Sequence, residues 1–170
     1  IDSVLRRYPC FEQLYWLDAT GDLRAMWTTT DQQYSRVPLA DREYFRKIRE
    51  GKSHWIQPHY SRGTSEFMVA YSTAASFRFS PEAGDTSLLA AVDFLPRALV
   101  DIYLPDGYGY AVIDGSGRVL FHSILNRSLN ENLFAECNSD ALRDMVEVGA
   151  TGPIRARYWE TDVRIHGTPM

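Results

Sequence analysis

The stretch VIDGSGRVLF, residues 112–121, has the pattern of a β-hairpin, with apolar residues on either side of the turn DGSG. A second stretch, LDATGDLRAMW at residues 17–27, has the same form. The two stretches match at three positions: Asp18 with Asp114, Gly21 with Gly117, and Leu23 with Val119. The chain therefore contains the same hairpin twice, which predicts an internal repeat.

The elements predicted after the first hairpin give the longer copy of this repeat. In chain order they are a polar loop at 28–38, a helix within 38–52, an aromatic, proline-containing connection at 54–63, a strand at 67–79, a turn cluster at 80–87 and a return strand at 87–94. A short helix then has Pro96 in its first turn and carries Leu99, Val100 and Tyr103. Asp41 is expected to cap the first helix or to favour its positive end, and Gly51 to end it.

The second copy begins after LPDGYG, residues 104–109, where a proline and two glycines predict a domain boundary. It comprises strands at 110–114 and 119–123, a polar loop at 124–134, a helix at 139–149 with Ser139 as N-cap, and a hairpin at 156–170 that turns near residues 160–162. It stops before any counterpart of the return strand. The expected domains are residues 1–103 and 104–170.

Short local connections favour antiparallel sheets flanked by helices, which is the α+β class. The composition is that of a globular protein, with 45% hydrophobic and 24% charged residues. A net charge of -4 gives no basic field, so nucleic acid is not expected as a partner. No apolar stretch reaches the roughly 18 residues of a membrane helix. Because the chain begins with Ile1, it is expected to be a piece of a longer protein.

The sequence offers little support for a metal site or for catalysis. His54 and His59 lie in a predicted loop without the further ligands that a zinc site needs. The chain has no G-x-S-x-G, no H-E-x-x-H and no glycine-rich phosphate loop, so an enzyme is disfavoured and no cofactor is expected. Cys10 and Cys137 are expected as buried thiols, with a disulfide between them left open.

Several phrases together resemble the double Cache sensor domain of bacterial membrane receptors. They are DREYF followed by a P-x-Y loop, then FMVAYSTAAS, then AAVDF, and finally GYGYAVIDGSGRVLFHS. The resemblance covers roughly residues 11–170. It implies two tandem PAS-like modules outside the inner membrane, attached by flanking segments beyond this chain, in a receptor expected to be a homodimer. Members bind small molecules in the first, membrane-distal module and signal to a histidine kinase, a diguanylate cyclase or phosphodiesterase, or a chemotaxis output.

Amino-acid-binding members of this family share a motif: Tyr, four residues, Arg, any residue, Trp and an aromatic, with a Tyr and an Asp further along. Arg42, Tyr44 and Phe45 match its middle part with Tyr in place of Trp. Tyr60 and Asp93 stand near the later positions, whereas the first Tyr is replaced by Val37. This departure puts an α-amino acid as ligand in doubt.

The residue types suit a two-ended ligand, because an arginine fork matches a carboxylate and an aspartate accepts from an ammonium. Strand geometry adds Tyr71 and Ser72, since one of two adjacent residues faces the pocket side. The predicted ligand-binding set is Arg42, Tyr44, Phe45, Tyr60, Tyr71, Ser72 and Asp93.

Each member of this set also has a structural interpretation. Arg42 could lie exposed and pair with nearby acids, and Tyr44 and Phe45 could belong to the core. Asp93 ends an apolar run, so it needs a partner: a ligand amine, an arginine or the following helix as its cap.

The sequence thus predicts an extracytoplasmic sensing domain, on the periplasmic side of a bacterial inner membrane, for an amino acid, amine or small carboxylate. Two alternatives stay open. One is a ligand-free spacer that mediates dimerisation, and the other is a small enzyme that uses carboxylates.

Overall fold

The computed structural model describes residues 7–8, 10–29, 38–76 and 88–170. The chain divides into two compact units, Ile1–Arg97 (unit 1) and Ala98–Met170 (unit 2). Every strand pairing in both units is antiparallel, and helices accompany the sheets, which confirms the predicted α+β class. The interpretation of the chain as two tandem Cache modules, 1–103 and 104–170, stays a prediction.

In its described residues, unit 1 comprises a five-stranded sheet with a helix on it. Its elements are β1 (Phe11–Leu17), β2 (Leu23–Thr28), α1 (Glu43–Arg49), β3 (His54–Tyr60), β4 (Phe67–Ala74) and β5 (Leu89–Phe94). The strand order is β2-β1-β5-β4-β3, so the apolar return strand β5 lies at the centre and β2 and β3 form the edges. The predicted turn cluster at 80–87 and most of the predicted loop at 28–38 lie outside the described residues.

Helix α1 covers one face of this sheet. Tyr44, Phe45 and Ile48 share a helical face at the expected spacing, and all three are buried. They pack against alternate residues of the strands, because successive strand side chains point to opposite faces. The buried strand residues of this core are Tyr15, Leu17, Ala70, Leu89 and Ala91.

The prediction of a connection at 54–63 is wrong, because seven of these residues form strand β3. Proline suppressed the strand prediction because it cannot donate a ladder hydrogen bond. Pro58 pairs in register with Val69 of β4, and β3 is an edge strand among the described strands. An edge strand tolerates the missing N–H, which explains the error.

The prediction that Asp41 caps α1 is also wrong. The N-cap is Arg42, which makes no side-chain capping bond. Instead, the Tyr44 N–H donates to Gln57 Oε1 of β3 at 2.9 Å. The cap therefore comes from a strand distant in sequence, and the Asp41 carboxylate pairs with Arg62. Gly51 ends the helix as predicted, at a φ of +95°.

Unit 2 contains two separate hairpins and short helices. Helix α2 (Arg97–Val100) starts directly after Pro96 and ends before Tyr103, which was predicted to belong to it. After α2, the elements of unit 2 are β6 (Ala111–Ile113), β7 (Val119–His122), a 3-10 turn (Leu125–Arg127), α3 (Leu133–Cys137), α4 (Asp140–Glu147), β8 (Gly152–Tyr158) and β9 (Thr161–Gly167). Ser139 caps α4 as predicted, since its Oγ accepts from the Leu142 N–H at 3.3 Å. The last hairpin turns at Trp159 and Glu160, both at positive φ. Helix α3 was not predicted. Cys10 and Cys137 are both free thiols.

The two similar stretches form turns with the same bonding. Asp18 Oδ1 accepts from the Thr20 N–H at 2.8 Å, the Thr20 hydroxyl at 2.6 Å and the Asp22 N–H at 3.0 Å. Asp114 Oδ1 accepts from the Ser116 N–H at 2.8 Å, the Ser116 hydroxyl at 2.7 Å and the Arg118 N–H at 3.1 Å. One carboxylate oxygen thus organises each turn.

The strands beside these turns are also in equivalent registers. In unit 1 the pairs are Tyr15 with Met26, Trp16 with Ala25, and Leu17 with Leu23; in unit 2 they are Ala111 with His122, Val112 with Phe121, and Ile113 with Val119. Each ladder shifts register at the corresponding step, between the last two pairs. The predicted hairpin repeat is therefore present in backbone geometry.

Unit 2 differs from unit 1 in having no described strand between β6 and β9. In unit 1, β5 fills the position between β1 and β4. In unit 2, a groove of about 710 Å³ lies there, with β6 on one side, β9 on the other and Met145 of α4 among its walls. Within the described ranges, no helix is long and apolar enough to cross a membrane.

Gly21→Ala is expected to destabilise unit 1 by about 3 kcal/mol, because strain and overpacking act together. Gly21 has a φ of +84°, and a Cβ there would stand 2.7 Å from the Ala40 backbone. Gly51→Ala is the matched control, since Gly51 has a φ of +95° with nothing within 4 Å. It should cost about 1 kcal/mol for the left-handed backbone alone. Equal losses in urea denaturation would show that the contact with Ala40 is unimportant.

Asp18→Asn is expected to cost about 1–2 kcal/mol at pH 7, because charge-assisted hydrogen bonds weaken and the ion pair with Arg24 is lost. Burial raises the pKa of Asp18, but hydrogen bonds from Thr20, Asp22 and Arg24 outweigh it and lower this pKa. The carboxylate contributes its full share of the free energy of unfolding above the ordinary pKa of the unfolded chain. This contribution is lost as the pH falls through the lowered pKa of the folded protein.

The difference between wild type and Asp18→Asn in urea denaturation should therefore shrink below about pH 4. Asp22→Asn, at the exposed neighbouring position, is the control and should change the free energy of unfolding little. A wild-type advantage that persists unchanged at pH 3 would contradict this account of the turn.

Candidate functional site

A cavity of about 80 Å³ lies in unit 1, between the helix-covered face of the sheet and the start of α1. Its polar wall consists of Gln13, Tyr15, Arg42, Tyr44, His59 and Asp93. Leu23, Met26 and Leu39 form the apolar part, and Ser61, Arg62 and Gly63 come from the loop after β3. The cavity is small compared with the roughly 300–1,000 Å³ of ordinary ligand pockets.

The sheet register brings the polar strand residues together. Gln13 of β1 and Asp93 of β5 are direct cross-strand partners, and Ala70 of β4 stands on the other side of Asp93. His59 belongs to β3, one strand further. Because Ala70 is small, the His59 ring reaches over β4, and its Nε2 lies 3.3 Å from Asp93 Oδ1.

Asp93 is a buried carboxylate, with 2% of its surface exposed. Its Oδ1 accepts from the Tyr15 hydroxyl at 3.0 Å, in addition to the approach of His59. A buried charge is costly unless neighbouring groups compensate it. Strands β1 and β3 thus supply the partners that the sequence requires for this acid.

The opposite charge in the cavity wall belongs to Arg42, at the N-cap of α1. Its Nη2 donates to the Tyr60 carbonyl oxygen at 2.9 Å, while its Nε is buried without a hydrogen-bond partner. Asp41 pairs with Arg62, whose Nη1 donates to the Pro38 carbonyl at 2.8 Å. The Asp41 carboxylate is therefore engaged at the neighbouring Arg62.

Two tyrosine hydroxyls lie near these charges. Burial raises the pKa of Tyr15 well above its ordinary range, and the charge of Asp93 adds to the effect. Burial likewise raises the pKa of Tyr44, although its hydrogen bond with Tyr15 acts in the opposite direction. Both phenols stay protonated at physiological pH and can donate hydrogen bonds.

Three of the seven predicted residues, Arg42, Tyr44 and Asp93, lie in the cavity wall. Phe45 is fully buried in the core under α1. Ser72 is also fully buried, and its hydroxyl donates to the Trp55 carbonyl at 3.2 Å. The structure places both of these residues outside the cavity wall.

Tyr60 and Tyr71 lie on the other face of the sheet. Tyr60 packs edge-to-face on Phe67 at 5.7 Å between ring centroids, and only its backbone carbonyl contacts Arg42. Tyr71 is 39% exposed and stacks on His54. Strand alternation separates each of them from the face that carries Asp93.

Sequence reasoning missed three polar wall residues: Gln13, Tyr15 and His59. Gln13 and Tyr15 alternate along β1, and this period of two was a usable signal. His59 was hidden by the failure to predict β3, since its neighbour Tyr60 received the motif position. Among the described residues, no group of three or more His, Cys, Asp or Glu side chains could hold a metal ion.

The chain matches no known protein-family profile. It is 32% identical over 128 residues to sporulation kinase D of Bacillus subtilis (strain 168). The aligned region is 72% of this chain but only 24% of that kinase. The similarity therefore concerns about a quarter of the relative.

Solved structures resemble the chain more extensively. The ligand-binding domain of the Pseudomonas aeruginosa PAO1 amino acid chemoreceptor PctB, in complex with L-Gln, superposes with a TM-score of 0.61 and 13% identity, over 91% of this chain and 60% of that one. The ligand-binding domain of the chemoreceptor PctC from the same organism, in complex with GABA, gives 0.58 and 20% identity, over 98% and 71%.

The matched structures are receptor ligand-binding domains, and the chain spans roughly 60–70% of their length. The chain therefore has the Cache-type fold of receptor sensor domains, which confirms the resemblance at the level of the fold.

Proposed function

We propose that this chain is the extracytoplasmic small-molecule-sensing region of a bacterial signal-transduction receptor. The observation that carries the proposal is a small cavity whose wall holds a buried carboxylate, Asp93, and a buried guanidinium nitrogen of Arg42. Both groups line a space that a small ligand can enter, so an acceptor and a donor of opposite charge are available at one site. The fold of receptor ligand-binding domains supports the same function.

The ligand class follows from these charges. Arg42 offers an N–H donor to a carboxylate, Asp93 offers acceptors to an ammonium, and tyrosine rings and aliphatic side chains line the remainder. The cavity size favours a ligand with few non-hydrogen atoms. We therefore propose an amino acid, an amine or a small carboxylate, in keeping with the L-Gln and GABA bound by the two chemoreceptor domains.

We propose further that Arg42, Tyr44 and Asp93 contact the ligand directly. The other four residues of the predicted set have positions that suit support of the cavity wall more than contact with the ligand. They are Phe45, Tyr60, Tyr71 and Ser72. Phe45 packs beneath α1, and the Tyr60 carbonyl holds Arg42. The function proposed is binding without covalent chemistry.

In the whole receptor, flanking segments would attach this region to the inner membrane from the periplasmic side, and two copies would pair. The output would be a histidine kinase, a diguanylate cyclase or phosphodiesterase, or a chemotaxis protein; the similarity to a sporulation kinase favours a kinase. Ligand binding signals only if the ligand prefers one of two packings of the receptor.

The test is a thermal-shift screen of this chain with L-amino acids, amines and small carboxylates. A ligand held at about one hundred times its Kd should stabilise unit 1 by about 2.7 kcal/mol. Arg42→Lys keeps the charge but removes the planar fork, so it should weaken carboxylate-bearing ligands about tenfold or more. Asp93→Asn should weaken ligands that carry an ammonium.

Arg155→Ala serves as the matched control, because Arg155 is exposed on β8 of unit 2. It should leave every ligand-induced shift unchanged. A screen in which no compound shifts the melting temperature would favour a ligand-free spacer. Hits that are insensitive to both site substitutions would locate the binding site elsewhere, and turnover of a compound would favour the enzyme alternative.

A further inference from the structure

Buried polar atoms without a partner are concentrated at the cavity. Among the described residues, four buried side-chain nitrogen or oxygen atoms have no hydrogen-bond partner: Arg42 Nε, His59 Nδ1, His59 Nε2 and Tyr110 Oη. Three of these belong to two residues of the cavity wall. Native proteins satisfy nearly all such groups, so each exception needs an explanation. Their clustering marks the cavity wall as a place where hydrogen-bonding groups are available to a bound molecule.

His59 is the less expected member of this group. It is 5% exposed, and neither ring nitrogen has a hydrogen-bond partner although Nε2 approaches Asp93 Oδ1 to 3.3 Å. The Tyr44 ring meets it edge-on at 6.0 Å between centroids. The imidazole is therefore held by packing and by its approach to Asp93, and its Nδ1 has no partner.

The same chain contains a buried histidine with the opposite pattern. His122 of unit 2 is 7% exposed, and its Nδ1 accepts from the Ile124 N–H at 2.8 Å. Its Nε2 lies 3.2 Å from the Tyr158 hydroxyl, which donates to Glu131 Oε2 at 2.7 Å. This is the bonding expected of a histidine that serves the fold. His59 lacks it.

A neutral imidazole offers one donor and one acceptor, and a carboxylate offers acceptors only. With Nε2 directed at Asp93, the His59 Nδ1 and the Asp93 carboxylate offer acceptors that suit an ammonium group, while the Arg42 Nε–H suits an acceptor such as a carboxylate. We propose that His59 is a ligand-contacting residue that, together with Asp93, determines specificity for the ammonium end of the ligand. This inference rests on the proposed function.

The first arm of the test compares stability without ligand. His59→Phe removes two nitrogens that lack hydrogen bonds and also the approach of Nε2 to Asp93, so its melting temperature should fall by clearly less than that of a variant that breaks satisfied bonds. His122→Phe is the matched control and should melt roughly 5 °C lower, because it breaks satisfied buried bonds. His59→Phe melting as low as His122→Phe would show that His59 serves the fold, and would overturn the inference.

The second arm measures affinity by calorimetry for 4-aminobutyrate, butyrate, which lacks the ammonium, and butylamine, which lacks the carboxylate. In the wild type, 4-aminobutyrate should bind at least about tenfold more tightly than butyrate. In His59→Phe that ratio should fall about fivefold or more, with the Kd of butyrate nearly unchanged. His59→Gln keeps hydrogen-bonding groups and should retain part of the preference.

The two failures are distinguishable. A ratio that is identical in wild type and both His59 variants overturns the role of His59 while leaving the proposed function intact. If the wild type binds neither these three probes nor any compound of the wider screen, the proposed function fails. The stability comparison then still decides whether His59 is a structural residue.

Discussion

Burial of a carboxylate on the central strand is the constraint around which unit 1 is arranged. Asp93 stands on β5, with strands on both sides and α1 above, so water cannot solvate it and protein groups must. This requirement explains the Tyr15 hydroxyl on one neighbouring strand, the alanine on the other, and a histidine that reaches over that alanine. An apolar residue at position 93 would need none of them.

The parts of the fold that could be predicted from sequence are those fixed by local chemistry. An aspartate and a glycine at set spacing produced the same turn, register and bulge in two places, since one carboxylate oxygen accepts three local bonds in each. Helix α1 followed from its apolar spacing and its terminal glycine. Its cap could not be predicted, because the acceptor is Gln57 of a strand that only tertiary structure positions.

The residues of the candidate site also fall into two groups: those that local sequence marks and those that only tertiary structure positions. Arg42, Tyr44 and Asp93 were recoverable because a motif or an unusual acid in an apolar run marks them. Tyr60 and Tyr71 were assigned without knowledge of which sheet face each strand turns inward, and alternation placed both on the outer face. If a residue of such a strand is assigned one position too far along, its side chain lies on the opposite face of the sheet, and a surface residue is taken for a pocket residue. His59 beside Tyr60 is an instance of that rule.

The groove between β6 and β9 has a consequence for the behaviour of this chain in solution. In the described part of unit 2, β6 pairs only with β7 and β9 only with β8, and both β6 and β9 line the groove. Unpaired edges of this kind act as templates for further strands. Concentrated samples of this chain are accordingly expected to associate by adding a strand of one copy to β6 or β9 of another, whereas β5 of unit 1 already has a strand on each side.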